Sequence, residues 1–150
     1  MTKIKIIAVG TLTPKFKAIY ESYAKNISNY AELNLVEIKE FSEEKNIEVK
    51  KDKETKNIIK QVLPNSLVVL TSLRGKQYSS EEFSEIIREN INKDITFIIG
   101  GSDGVIEDDI AANLKICFSK MTFPHQLFRV MLVEQIYRAF MIINNKKYHK

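Results

Sequence analysis

Apolar residues along this chain switch repeatedly between a period of two and a helical period. Residues 3–9 begin by alternating Lys and Ile, then become continuously apolar up to Gly10. That pattern predicts a strand that becomes buried along its length. Phe16, Ile19, Tyr20, Tyr23 and Ile27 recur at helical spacing over residues 15–29, with Pro14 suited to an early helical position. A second strand is expected at 33–38. Residues 41–55 mix both charge signs, which predicts a solvated loop leading into a short helix at 56–62, stopped by Pro64. The continuous apolar run at 66–70 predicts a central strand of a parallel sheet, followed by a polar loop at 71–76. Ser79 and Glu82 form a capping box for a helix reaching to about Asn90. A buried strand at 95–99 runs straight into Gly100-Gly101-Ser102-Asp103-Gly104. Residues 105–113 are expected to be helical, 114–119 to form the last strand, and 125–144 the closing helix.

Strands thus alternate with helices throughout, with no internal repeat and no low-complexity linker. The expected fold is α/β: a mainly parallel five-stranded sheet with helices on both faces, in one domain spanning residues 1–150. The closing helix is apolar on nearly every side, from Leu127 and Phe128 to Ile142 and Ile143. One sheet can bury only part of that surface. Either a second subunit covers the rest, or other parts of the same chain wrap it.

Composition adds little to this picture except where charge is concerned. With 44% hydrophobic and 28% charged residues the chain is of ordinary globular type. No run of about 18 apolar residues is present to span a membrane, and the N-terminus carries no signal-peptide pattern, so a cytoplasmic location is expected. The net charge of +4 is unevenly spread. Residues 1–119 carry 17 Lys/Arg and 18 Asp/Glu, whereas residues 120–150 carry six and one. A positive surplus confined to the last fifth of the chain suits a polyanionic partner such as nucleic acid, or equally a solvated tail. Cys117 is alone, and its strand-like surroundings suit a buried structural thiol. Two histidines and one cysteine, far apart, make no metal-ligand set.

In an open parallel sheet, ligands bind beyond the carboxyl ends of the strands. Three such ends here are polar or glycine-rich: 71–75, 100–104 and 119–125. The glycine loop is neither a dinucleotide fingerprint, lacking a third glycine at the required spacing, nor a P-loop, since no Gly-Lys-Ser/Thr follows. It is either a tight strand-to-helix turn or a place where backbone approaches a ligand.

The run Phe118-Ser119-Lys120-Met121-Thr122-Phe123-Pro124-His125, then Arg129, then Glu134-Gln135-Ile136-Tyr137-Arg138-Ala139-Phe140, and finally Tyr148-His149, resembles the ribosomal RNA large subunit methyltransferase H family. So do Ile6-Ile7-Ala8-Val9-Gly10 and Phe97-Ile98-Ile99-Gly100-Gly101. Members of that family methylate N3 of a pseudouridine in bacterial 23S rRNA. The resemblance covers the whole chain. It implies a SPOUT-type fold with a deep C-terminal trefoil knot, a homodimer, and S-adenosyl-L-methionine as methyl donor. The cofactor positions it implies are Thr71, Gly100 and the run Phe118, Ser119, Lys120, Met121, Thr122 and Phe123. Thr71-Ser72 departs from the family, which often has a Leu and an acidic residue there.

The substrate implied is a pseudouridine in helix 69, within the assembled ribosome. Its N3–H is weakly acidic, so a base or an anion stabiliser would help. His149 and His125 are the side chains with unperturbed pKa values near neutrality. His149 and Tyr148 lie in the basic tail and suit work on the substrate, while His125 suits either catalysis or a structural turn at a helix start. Arg138 and Arg129 could meet phosphate or a developing anion, or form interface salt bridges. Lys146, Lys147 and Lys150 suit rRNA phosphates. The competing possibilities are a non-catalytic RNA- or ribosome-binding module, a different nucleotide-binding α/β enzyme, and a purely structural dimerisation protein.

Overall fold

The computed structural model describes residues 1–150. Strands β1 (Lys3–Val9), β2 (Glu32–Ile38), β3 (Leu67–Gln77), β4 (Ile95–Ile99) and β5 (Leu114–Cys117) form one sheet in the order β2-β1-β4-β3-β5. Every pairing between them is parallel. The helices are α1 (Pro14–Ile27), α2 (Ile47–Gln61), α3 (Ser80–Glu89) and α4 (His125–Ile143).

Both faces of the sheet are covered, and strand alternation decides what each face meets. Ile4, Ile6, Ala8, Val69, Phe97 and Ile99 point into a core shared with α1, α3 and α4. Ile7, Val9, Leu70 and Ile98 point the other way, onto Ile58 of α2 and onto Val105 and Ile110. That two-sided burial is why β1 and β4 read as continuous apolar runs. Helix α4 lies between α1 and α3 and packs on both. Its fully or nearly buried residues, including Leu132, Val133, Ile136 and Phe140, are therefore covered by its own chain. Wrapping within the chain accounts for most of its apolar surface.

Three expectations are corrected. The solvated loop expected at 41–55 ends at residue 46: α2 starts at Ile47, and the Asn46 side chain caps it by accepting from the Glu48 and Val49 amides at 3.0 and 3.2 Å. Two of its charged residues, Lys50 and Glu54, are buried. They pair with each other at 3.5 Å, so the helix needs no regular apolar stripe there. Residues 105–113 are not a helix but a single 3₁₀ turn at Glu107–Asp109. The rest of that segment is pinned at both ends, the Ile106 amide donating to Thr55 Oγ1 at 3.0 Å and Asn113 Oδ1 accepting from the Val68 amide at 2.7 Å. Finally, β3 does not stop at Leu70. It pairs with β5 through Thr71, bulges out over residues 72–75, and resumes with Lys76, so that Thr71 and Lys76 both face Ile116. The polar loop expected at 71–76 is this bulge.

Candidate active site

A cavity of about 450 Å³ opens beside the β3 bulge and beyond the carboxyl ends of β4 and β5, within the range of small-molecule sites. The three loops singled out in the sequence form its walls. The β3 bulge contributes Thr71 to Arg74, the glycine loop contributes Gly100 to Gly104, and the segment after β5 contributes Phe118, Ser119, Met121, Thr122 and Phe123. His125 and Phe128, in the first turn of α4, close one side. Of the expected cofactor positions, Lys120 is the one that does not line the cavity.

Local bonds fix each wall. Thr71 Oγ1 donates to the Ile98 carbonyl at 2.9 Å, tying β3 to β4 just before the bulge. Ser119 Oγ accepts from the Met121 amide at 3.0 Å and starts the turn that leads to α4. Phe118 packs on Phe128 with ring centroids 4.6 Å apart, so that turn is anchored to α4. Gln126 Oε1 accepts from the Thr13 amide at 2.7 Å, joining the start of α4 to the start of α1. In the glycine loop, Gly104 has φ of +80°, a conformation that favours glycine. Cys117 is buried, its Sγ 2.9 Å from the Ser119 carbonyl oxygen.

Glu107 is a lining residue that sequence patterns did not single out, although it opens an acidic triplet just after the glycine loop. Its Oε2 accepts from Ser72 Oγ at 2.7 Å, and its Oε1 lies 3.2 Å from Lys115 Nζ. Burial opposes its ionisation, but the hydrogen bonds from Ser72 and Lys115 outweigh burial and hold the carboxyl below its ordinary range. Ser72 stands where the resembling family often has an acid. Here a carboxylate reaches that spot from Glu107 instead.

The remaining expected residues sit elsewhere. Arg138 grips Glu134 through Nη2 at 2.8 Å and Nε at 3.3 Å. Tyr148 donates to the same Glu134 at 2.7 Å, and the Arg138 guanidinium lies over the Tyr148 ring at 4.8 Å. Burial, and then the hydrogen bond to Glu134, push the Tyr148 phenol well above its usual range, so it stays a donor. Arg138 Nη1 lies 3.1 Å from His149 Nδ1, and His149 Nε2 contacts Glu81. A guanidinium can only donate, so Nδ1 accepts and the ring proton lies on Nε2, facing Glu81. Thirteen residues of helix separate His125 from Arg138, roughly 20 Å at the helical rise. Within one chain, then, His125 lines the cavity while Arg138, Tyr148 and His149 form a separate cluster far along α4.

Arg129 belongs to neither group. It is buried, 1% exposed, and binds Glu37 of β2 at 2.5 Å and the Gly10 carbonyl at 3.2 Å. It is an internal tie between α4 and the sheet, not a surface for phosphate or for a second subunit. No group of three or more His, Cys, Asp or Glu side chains is placed to hold a metal ion. No helix is long and apolar enough to cross a membrane.

Comparison with known proteins adds the following. A family model described as "Predicted SPOUT methyltransferase" matches residues 2–149. The chain is 63% identical over 150 residues, the full length of both, to a Mycoplasmopsis agalactiae protein named ribosomal RNA large subunit methyltransferase H. A Mycoplasmopsis synoviae protein of the same name is 56% identical, covering 98% of this chain and 99% of the relative. One from Clostridium botulinum strain Kyoto is 46% identical, again over 98% and 99%. Among solved structures, a probable methylase family protein from Haemophilus influenzae superposes with a TM-score of 0.53 at 16% identity, over 96% of this chain and 67% of that one. That last likeness shows the fold alone.

Proposed function

The chain belongs to the SPOUT methyltransferases, and within them to the ribosomal RNA large subunit methyltransferase H family; from that premise we propose that it methylates N3 of a pseudouridine in helix 69 of 23S rRNA, on the assembled ribosome in the cytoplasm, with S-adenosyl-L-methionine as donor. The observation that carries this is the cavity between the β3 bulge and the ends of β4 and β5. Its lining carries the carboxylates of Asp103 and Glu107 against one permanent cation, Arg74, itself 3.7 Å from Glu107, and an exposed backbone turn after β5. Such a lining fits a ligand with a sulfonium and an ammonium group better than one with phosphates. Thr71, Gly100 and residues 118–123 would hold it, Lys120 by shaping the turn between Ser119 and Met121.

Bound there, the cofactor supplies an already activated methyl group. The protein's own task is to place the base and manage a proton. The N3 proton passes to Nδ1 of His149, the ring nitrogen without a proton, as Arg138 turns from it to the base. Arg138 stabilises the negative charge that develops on the base, and Tyr148 donates a hydrogen bond to it. Lys146, Lys147 and Lys150 meet rRNA phosphates. His125, on the cavity wall, is the second candidate for contact with the base. Because the His149 cluster is so far from its own cavity, each site is completed by the tail of a second copy in a homodimer. An apolar groove of about 400 Å³ between α1, α3 and α4, bordered by half-exposed Ile19, supports such a contact. The whole chain works as one domain, and the trefoil knot of this fold belongs to the same proposal.

Whole ribosomes incubated with purified protein and isotopically labelled S-adenosylmethionine should gain one labelled methyl group on a large-subunit rRNA pseudouridine, located by mass spectrometry. No incorporation, or incorporation at another base, overturns the assignment. A second outcome concerns the glycine loop. A Cβ on Gly100 would stand 3.0 Å from Val105 Cγ1 and 3.3 Å from the Gly104 carbonyl carbon. Gly100→Val therefore displaces the loop itself. The affinity for S-adenosylmethionine measured by calorimetry is expected to fall by at least about tenfold, or 1.4 kcal/mol.

A further inference from the structure

Behind the glycine loop lies a group of charged side chains of which Asp103 alone also lines the cavity. Lys50 of α2 is 4% exposed. Its Nζ is 2.9 Å from Asp103 Oδ2, 3.1 Å from Glu40 Oε2 and 3.5 Å from Glu54 Oε2. Glu54 is fully buried; its Oε2 accepts from the Phe41 amide at 2.9 Å, and its Oε1 has no hydrogen-bond partner. Ser102 donates to Glu40 at 3.0 Å, and Thr55 holds the Ile106 amide. Helix α2 thus grips the segment 102–106 at two points, and Glu40, in the loop before it, holds a third.

A loop with glycines at 100, 101 and 104 has little side-chain packing of its own and would lose much conformational entropy on ordering. Its internal bond is the Gly104 amide to the Gly101 carbonyl at 3.0 Å. The external anchors do the rest. Lys50 alone balances three carboxylates. Without it Glu40, Glu54 and Asp103 would face one another in a partly dry site, which is strongly unfavourable. Of the three, Asp103 is carried by the loop, and its side chain is 34% exposed. It is the one free to move outward.

We propose that Lys50 is a positioning residue for the cofactor site: by drawing Asp103 back onto α2, it sets residues 100–104 in the cavity-forming conformation before the cofactor arrives. This rests on the proposed function for its consequence in binding, but not for its effect on the loop. Burial works against a charged Lys50, yet its hydrogen bonds to Asp103 and Glu40 outweigh burial and raise its proton affinity above that of an ordinary lysine. An ordering contact present beforehand lowers the entropic cost of binding.

The test compares Lys50→Met, Asp103→Ala and the double variant with the unaltered protein. Amide hydrogen exchange on the cofactor-free proteins should show the Gly104 amide opening about tenfold faster in each single variant, with Ile6 and Ile98 in β1 and β4 unchanged. Calorimetry should show S-adenosylmethionine binding about tenfold weaker in each, and no weaker in the double variant than in the worse single one. In turnover, the change should fall on the cofactor KM and leave kcat unaltered. Unchanged Gly104 exchange in both variants, a uniform rise at all amides, or additive losses in the double variant would each overturn the proposal. Should Lys50→Met fail to fold, Asp103→Ala decides, since it leaves Lys50 with two carboxylate partners. Should the unaltered protein not bind S-adenosylmethionine, the proposed function fails, while the exchange comparison still decides the role of Lys50.

Discussion

Replacing His149 with alanine is expected to cut methylation of ribosomes by about 10²–10⁴-fold, the span of a positioned general acid or base, with the affinity for S-adenosylmethionine unchanged. The second half of that expectation follows from geometry. His149 is held by Arg138 and Glu81, and the nearer of these on α4, Arg138, lies roughly 20 Å along the helix from His125 on the cavity wall. Its loss cannot disturb the cavity of its own chain by direct contact. If the tail serves the other copy, two inactive variants should repair one another. Co-expressed His149→Ala and Gly100→Val chains would form mixed dimers in which one cavity is intact and faces an intact His149. With random pairing about a quarter of the full activity returns. If His149 acts within its own chain, the mixture stays inactive. Full activity of His149→Ala by itself would remove this residue from the mechanism.

Gly75→Ala should be the most damaging small substitution for the fold. A Cβ on Gly75 would lie 2.7 Å from the backbone N and C of Ile116 and from the backbone C of Lys115. These are atoms of β5 and have no side-chain freedom with which to retreat. The bulge brings β3 back against β5 at this point, and only a residue without a side chain allows the approach. Because β5 is an edge strand, it would be pushed outward, taking the cavity wall at 118–123 with it. The expected cost is about 1–3 kcal/mol in denaturant unfolding, together with weakened cofactor binding. Gly104→Ala is the informative contrast. No atom lies within 4 Å of a Cβ there, and the positive φ is the sole penalty, about 1–2 kcal/mol. If Gly75→Ala proves no worse than Gly104→Ala, the close approach of β3 to β5 is not what requires glycine.

Much of the architecture could be read from the chain because local chemistry enforces it. Strands buried on both faces must be apolar throughout, so β1, the first half of β3 and β4 were plain. The capping box of Ser79 and Glu82 forms as expected, the Glu82 amide donating to Ser79 Oγ at 3.0 Å and the Ser79 amide to Glu82 Oε1 at 2.8 Å. The first turns of α2 were missed for the opposite reason. Their inward-facing residues are Lys50 and Glu54, whose burial is satisfied by partners at positions 40, 41 and 103. Nothing local distinguishes such a lysine from a solvated one. The second half of β3 was likewise hidden, since an exposed strand on the far side of a bulge carries polar residues, as a loop does.

The site shows the same division. Sequence alone pointed to the three loops that line the cavity, because polar and glycine-rich segments after apolar strands are where an open parallel sheet leaves backbone accessible. It also determined the basic surplus of the last segment. Tertiary structure decided how these parts are shared out. It placed Arg129 inside, as a tie to Glu37, and set the Glu107 carboxylate against Ser72. It separated His149 from the cavity by most of the length of α4. These outcomes depend on which distant side chains come within a few ångströms of one another. Hydrogen bonds and ion pairs act only over that range, and spacing along the chain does not record it.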